Sequence, residues 1–294
     1  TFYEYLLAKG NEPMAELSRR PPSEVSVAIQ MEILAALKKY LLVGGMPECV
    51  RVYRDSGSLL DVFAVQSEIL DSYRDDFSKY KPHMDTACLD AVFHQAARSV
   101  GEQIKYTRLN DGHTGVTNRK AFDLLCKARI LHKIPVCTPA GLPLSATVKG
   151  KKFKACFLDV GLMQRLCEVA VGEALGEENL LAIYKGKLAE QFVAQEFLAY
   201  QSAELYYWAR EAKSSCAEVD YLIVRDGTIY PVEVKSGAGG RLKSLHLLLQ
   251  AYPNCPQGLV LYSGSWRELP EQKLLFLPLY AAATLGTGIF IGSG

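Results

Sequence analysis

The sequence predicts a mixed α/β (α+β) chain, with a helical and winged-helix-like first half followed by a domain of the order α-β-β-β-α-β. Helical periodicity dominates up to about residue 128, an alternating strand follows it, and β-branched and aromatic runs cluster after residue 204. The 294 residues suffice for about two domains of ~100–200 residues each. A composition of 49% hydrophobic and 22% charged residues is globular and excludes a disordered tail or a collagen-like fibre.

The first hundred residues read as a series of helices. Residues 1–20 predict a short amphipathic helix before the paired prolines Pro21 and Pro22, which punctuate the chain. A second helix is expected from about Ser23 to Leu42, where a pair of glycines stops it. Helical spacing returns at 59–80 and at 86–99.

The next segment has the pattern of a winged-helix module. Helical spacing covers 117–128, and residues 130–136 alternate apolar and polar side chains as a half-buried strand does. A turn is expected at 139–141, with another short strand ending near Val148. Helix, strand, turn and strand in this order predict a helix with an adjoining β-wing.

The last segment predicts the sheet. A long amphipathic helix covers 180–201, and three strands are expected at 204–208, 218–224 and 229–235, with a hairpin turn at Asp226-Gly227. A helix at 242–252 and strands at 258–262 and 274–277 complete the order.

Charge is segregated along the chain although the net charge is only +1. Residues 101–155 hold eleven bases and three acids, whereas residues 1–100 hold eleven bases and fourteen acids. A basic helix and wing is the electrostatic footprint of a phosphate-backbone contact, so we expect DNA contact by Arg119, Lys120 and Lys127. The alternative is an ordinary solvated basic surface, or one paired with the acidic N-terminal segment.

Two function classes receive no support. No apolar run reaches the ~18 residues of a membrane helix, and no basic-then-apolar leader opens the sequence, so we expect a cytoplasmic protein without membrane contact. The eight cysteines contain no C-x-x-C pair, which argues against a zinc ribbon or a thioredoxin site. Reduced core cysteines are expected instead.

One cluster of residues carries chemistry. Glu233 and Lys235 lie on the same face of their predicted strand, and the hairpin brings Asp220 beside Glu233. Two carboxylates and a backbone carbonyl form a hard-oxygen site that suits Mg²⁺, and Glu190 on the preceding helix offers a third carboxylate. The alternative is a strand with charged, solvent-facing side chains and an ordinary hairpin. Glu218 lies two residues before Asp220 and leaves open which acid faces the metal.

These residues resemble the PD-(D/E)XK, or restriction-endonuclease-like, superfamily, although Val219 replaces the proline of its P-D signature. Longer stretches resemble the C-terminal region of a bacterial and archaeal AAA-type ATPase family: YLLVGGMPE at 40–48, FKACFLDVGL at 153–162, GKLAEQFV at 186–193 and PVEVKSG at 231–237. The resemblance covers nearly the whole chain.

The resemblance implies an ATPase domain before this region and divides the chain into three parts. These are a remnant tail of that domain at 1–38, a helical, winged-helix-like region at 39–165 and a restriction-endonuclease-like domain at 166–294. The Walker A pattern is absent, because Gly150-Lys151 and Gly186-Lys187 are followed by Lys and Leu. We therefore expect a C-terminal fragment that needs the missing domain to bind ATP.

The expected function is DNA binding with Mg²⁺-dependent phosphodiester cleavage. Asp220 and Glu233 would bind the metal, Lys235 would assist the attacking water, and Glu190 would support the site. The alternative is a catalytically idle nuclease-like module that contacts DNA or protein and regulates the attached ATPase. Under either hypothesis, the expected partners are DNA and the protein's own ATPase domain. An oligomer is also possible.

Overall fold

The computed structural model describes residues 1–80, 84–167, 180–200, 204–212, 215–235 and 242–287. The chain forms two compact units. The sheet unit contains residues 1–38, 134–150 and 192–294, and the helical unit contains residues 39–133 and 151–191. The predicted fold class is confirmed: the structure is mixed α/β, with a helical first half and a C-terminal sheet.

The helices predicted at 59–80, 86–99, 117–128 and 180–201 are present, whereas residues 1–20 form two helices and the helices Pro47–Ser56 and Val160–Leu166 were not predicted. The bounds of the helices before the sheet are α1 Phe2–Ala8, α2 Glu12–Arg19, α3 Val27–Val43, α4 Pro47–Ser56, α5 Leu59–Phe77, α6 Thr86–Arg98, α7 Gly115–Lys127, α8 Val160–Leu166 and α9 Leu180–Tyr200. Side-chain caps fix several of their starts, because Ser58, Asp85 and Thr114 each accept a backbone N–H of the first turn. The predicted stop at the glycine pair is confirmed, since α3 ends one residue before Gly44.

The start of α3 was predicted too early. Residues 22–24 form a separate 3₁₀ turn, and the α-helix begins at Val27. The Gln30 side chain donates to the carbonyls of Pro22 and Val25 at 2.8 and 2.7 Å, so a buried amide holds this turn apart from the helix.

Two short paired strands follow α7 in the chain. Strands β1 Leu131–Pro135 and β2 Phe153–Phe157 pair with each other, and Ile104 bridges Phe153 antiparallel on the other side of β2. Helix α7 packs on α6, and Phe122 on α7 contacts the Phe153 ring with the centroids 4.9 Å apart. This aromatic contact fixes α7 against the small sheet.

The second wing strand was predicted at the wrong place. Residues Leu144–Thr147 form a 3₁₀ helix, and the strand that pairs with β1 begins at Phe153. The Thr147 hydroxyl donates to the Thr138 carbonyl at 2.6 Å, which folds the loop back on itself. Cys137 in this loop donates its N–H to the Tyr207 carbonyl at 2.9 Å, so the loop packs as part of the sheet unit.

Within the described residues, the sheet unit forms a sheet of six strands in the order β3-β4-β5-β6-β8-β7. Their bounds are β3 Tyr206–Ala212, β4 Ser215–Arg225, β5 Thr228–Lys235, β6 Gly258–Tyr262, β7 Arg267–Leu269 and β8 Leu274–Pro278, with helix α10 Lys243–Ala251 between β5 and β6 and helix α11 Ala282–Thr287 at the end. Pairs β3-β4 and β4-β5 are antiparallel, and β5-β6 and β6-β8 are parallel. The short strand β7 was not predicted from the sequence.

The predicted β4–β5 hairpin is confirmed with its turn. Asp226 and Gly227 have φ angles of 47° and 73°, and Arg225 faces Thr228, so a two-residue turn with left-handed residues joins the strands. The glycine-rich residues 237–240 lie outside the described residues. Helix α10 covers one side of the sheet with Leu245 and Leu248, both fully buried beside Val219 and Val260.

The structure bears on two expectations from the sequence, about membrane helices and about the cysteines. None of the helices in the described ranges is long and apolar enough to cross a membrane. All eight cysteines fall within those ranges and are free thiols, as expected, and Cys216 is the exposed one.

Candidate functional site

Asp220 lies where strands β4 and β5 diverge. Their pairing runs from Arg225–Thr228 to Tyr221–Val232. Beyond that point β5 continues along β6 as far as Lys235, whereas β4 remains paired with β3. The fork exposes the end of the β4–β5 ladder, and Asp220 is the first β4 residue past it.

The Asp220 carboxylate is fixed by the opposite strand. Its Oδ2 accepts the Val234 N–H at 2.8 Å, in the place where a ladder hydrogen bond to β4 would otherwise form. Asp220 is 9% exposed, so this hydrogen bond offsets part of the cost of burying the carboxylate. Through this contact Asp220 reaches β5.

Glu233 and Lys235 form an ion pair next to this contact. Lys235 Nζ lies 2.6 Å from Glu233 Oε1, and the two side chains share one face of β5, as their spacing predicts. The Glu233 side chain is 9% exposed and the Lys235 side chain 28% exposed. The lysine therefore reaches solvent from a carboxylate that is nearly buried.

These groups fit a site for Mg²⁺ with few protein ligands. Within the described ranges, no three His, Cys, Asp or Glu side chains cluster as a ready-made metal cage. Mg²⁺ does not need such a cage, because it usually keeps several waters and takes one or two carboxylates together with substrate phosphates. Asp220 and Glu233, adjoining the Val234 peptide, are the two carboxylates that could hold it.

Glu190 has a different set of contacts in the helical unit. Its Oε2 lies 3.0 Å from Nζ of Lys154, a β2 residue that is only 1% exposed. The next residue, Gln191, accepts the Phe157 N–H at 2.9 Å and donates to the Phe157 carbonyl at 2.8 Å. Glu190 and Gln191 thus fasten α9 to β2, and Lys154 does not belong to the basic surface counted from the sequence.

The three predicted DNA-contact residues lie on the outer face of α7. Arg119, Lys120 and Lys127 are all exposed, and the Arg119 side chain is 65% exposed beside Asp123 at 3.4 Å. Asn118, on the buried face, donates to the carbonyls of Tyr106 and Asn110 and holds the preceding turn. The helix therefore presents its bases outward from a fixed position.

A buried acid that the sequence did not single out connects two of the family-like stretches. Asp159 accepts the Gly45 N–H at 2.6 Å and the Leu162 N–H at 3.0 Å. Burial raises the pKa of this carboxyl, and these N–H donors oppose the shift. Gly44 has φ +75°, and a Cβ there would lie 2.3 Å from Asp159 Oδ1, so the glycine is required by both conformation and space.

The fold and the site define the class as a mixed α/β protein with an acid-acid-lysine cluster at a strand fork. Residues 34–172 match a domain of unknown function, DUF8612, and residues 185–281 match another, DUF4143. No curated protein matches the chain. The solved structure of protein VC1899 from Vibrio cholerae is similar at 12% identity and a TM-score of 0.25, over 90% of this chain and 60% of that one. This chain thus spans about 60% of that protein's length, and such a TM-score supports no common fold.

Proposed function

We propose that the sheet unit is a metal-dependent nuclease of the PD-(D/E)XK kind that cleaves phosphodiesters with Mg²⁺. The single observation that supports this most is the strand fork, where Asp220 binds the Val234 N–H beside the Glu233–Lys235 pair. Two nearly buried carboxylates and a lysine close together on adjacent strands form the kind of titratable cluster that is frequent at functional sites.

Each residue at the fork has a role that follows from its position. Asp220 and Glu233 would hold the cation, which when bound polarises a phosphoryl oxygen and lowers the pKa of a bound water. Lys235 donates to Glu233 and carries its charge toward solvent, where it can orient the attacking water and stabilise negative charge at phosphorus. Glu190 pairs with Lys154 within the helical unit and has no direct part in this proposal.

The test is a cleavage assay on plasmid and single-stranded DNA with Mg²⁺ or Mn²⁺. We expect Glu233→Ala and Lys235→Ala each to lower the rate by about 100-fold or more, as loss of a group that stabilises transition-state charge does. Glu268→Ala is the matched control, because Glu268 is an exposed acid on β7 of the same sheet. Equal activity in all four proteins would refute the catalytic assignment.

A second candidate is a catalytically idle module that contacts DNA or protein and regulates an attached ATPase. It is favoured by the low exposure of Asp220 and Glu233 and by the ion pair that already engages each of Glu233 and Glu190. This candidate predicts no cleavage with either metal and an unchanged affinity for DNA in Lys235→Ala.

We propose that α7 provides the DNA contact in both cases. Its bases Arg119, Lys120 and Lys127 are exposed on one helix, whose buried Asn118 fixes it to the preceding turn. Replacing Arg119, Lys120 and Lys127 by Ser should weaken binding on all sequences and reduce the salt slope by about three. Lys38 and Lys39, replaced in the same way, serve as the control, and an unchanged slope in the α7 variant would contradict the proposal.

We further propose that this region works in the cytoplasm as the C-terminal part of an AAA-type ATPase. The motif resemblance supports this, as does the match to DUF4143, a domain often found in such C-terminal regions. ATP binding would then belong to the preceding domain. ATP hydrolysis by this chain alone would contradict the assignment.

A further inference from the structure

A cavity of about 230 Å³ opens in the helical unit between α5, α6 and α8. Its lining is mostly polar and consists of Ser67, Leu70, Asp71, Arg74, His94, Arg165 and Leu166. None of these residues belongs to the strand fork or to the outer face of α7.

The charge of Arg74 in the cavity lining is offset by neighbouring carboxylates. Arg74 Nη1 lies 2.9 Å from Asp71 Oδ1, and Arg74 Nε lies 3.3 Å from Asp90 Oδ1. Arg74 Nη2 also contacts His94 Nε2 at 2.5 Å.

Arg165 on α8 is held differently. Its Nε donates to Ser67 Oγ at 2.9 Å, and Ser67 Oγ donates in turn to the Phe63 carbonyl at 3.0 Å. In the part of the chain that the structure describes, no carboxylate lies within ion-pair distance of Arg165. A guanidinium has five N–H donors in a planar fork, and the described hydrogen bond to Ser67 uses one of them.

We propose that this cavity binds a phosphate group, either free phosphate or the terminal phosphate of a nucleotide or strand end. Arg165 would contact the phosphate oxygens through its fork, which matches phosphate geometry, and Ser67 would position Arg165. The cavity is smaller than the ~300–1,000 Å³ of pockets for drug-sized ligands, so it fits a phosphate while the rest of the ligand remains outside.

The test is calorimetric titration of the chain with inorganic phosphate, a 5′-phosphorylated dinucleotide and the same dinucleotide without the phosphate. We expect inorganic phosphate and the phosphorylated dinucleotide to bind, and the dinucleotide without the phosphate not to bind. A higher affinity for the phosphorylated dinucleotide than for inorganic phosphate would identify a strand end as the source. Arg165→Gln should weaken phosphate binding by about 10-fold to 100-fold, the usual effect of losing charge-assisted hydrogen bonds. Arg165→Lys, which keeps the charge and loses the fork, should fall between.

Arg54→Gln is the matched control, because it removes an exposed arginine from α4 of the same unit. Ser67→Ala keeps the Arg165 charge and loosens its position, so it tests the cavity even if Arg165→Gln fails to fold by circular dichroism. Absence of phosphate binding in the wild type, equal affinity in the Arg165 and Ser67 variants, or equal binding of acetate would overturn the proposal.

Discussion

Glu196 on α9 should make the sheet unit less stable as the pH rises through neutrality. Its side chain is fully buried, and burial raises the pKa of its carboxyl from 4.5 to about 7, against the Phe2 N–H that it accepts at 2.8 Å. A raised pKa means that the folded protein prefers the protonated form. The resulting stabilisation is complete below about pH 4.5 and is lost as the pH rises through about 7.

The size of this loss follows from the pKa difference. The two values differ by about 2.5 units, and each unit corresponds to about 1.4 kcal/mol, so the loss is about 3 kcal/mol between pH 4.5 and 8. Glu196→Gln removes the ionisation while its amide oxygen can still accept the Phe2 N–H. The variant should therefore match the wild type near pH 4.5 and exceed it by about 3 kcal/mol at pH 8.

Tryptophan fluorescence during urea unfolding is the appropriate assay. The two tryptophans of the chain, Trp208 and Trp266, both belong to the sheet unit that contains Glu196. At each pH, the difference in the free energy of unfolding between wild type and Glu196→Gln isolates the effect of Glu196 from that of the other titrating groups. The control is Glu271→Gln, because Glu271 is an exposed acid of the same unit. If wild type and Glu196→Gln differed by the same free energy at pH 4.5 and 8, the reasoning would be refuted.

Two further predictions concern the helical unit. Gly44→Ala should lower the free energy of unfolding by about 2 kcal/mol more than Gly57→Ala in thermal melts. Both glycines have positive φ, but only a Cβ at position 44 would meet another atom, Asp159 Oδ1 at 2.3 Å. Equal losses in the two variants would contradict the close contact. Lys154→Met should cost about 3–5 kcal/mol by leaving the Glu190 charge poorly paired. Adding Glu190→Leu should recover most of that loss in the same melts, and a purely additive double variant would argue against the ion pair.

At the strand fork, the sequence predicted the local geometry but not the contact between strands. Period-two alternation placed Glu233 and Lys235 on one face, and the Asp-Gly pair predicted the hairpin turn, because both depend on local backbone geometry. The bond from the Val234 N–H to Asp220 was not predictable, since it depends on where β5 leaves β4 to follow β6.

The count of bases in residues 101–155 could not tell exposed bases from buried ones. Arg119, Lys120 and Lys127 are exposed as expected, whereas Lys154 is buried against Glu190 in β2. A count of bases cannot separate these cases, because burial depends on a partner that lies 36 residues further along the chain. The wing strand was misplaced for a related reason: the residues near Val148 bond to their own loop, and β1 pairs with a strand that begins at Phe153.

The sequence by itself determined the mixed α/β class, the longer helices, most strands of the C-terminal sheet, the hairpin and the residue types at the fork. Those features follow from hydrophobic period and turn chemistry, which act over a few neighbouring residues. Only the tertiary structure decided that β4 and β5 diverge at Asp220, that Glu190 binds Lys154 and that Arg165 faces a cavity held by Ser67. Each of these contacts joins residues far apart in sequence, and the packing of whole elements brings them together.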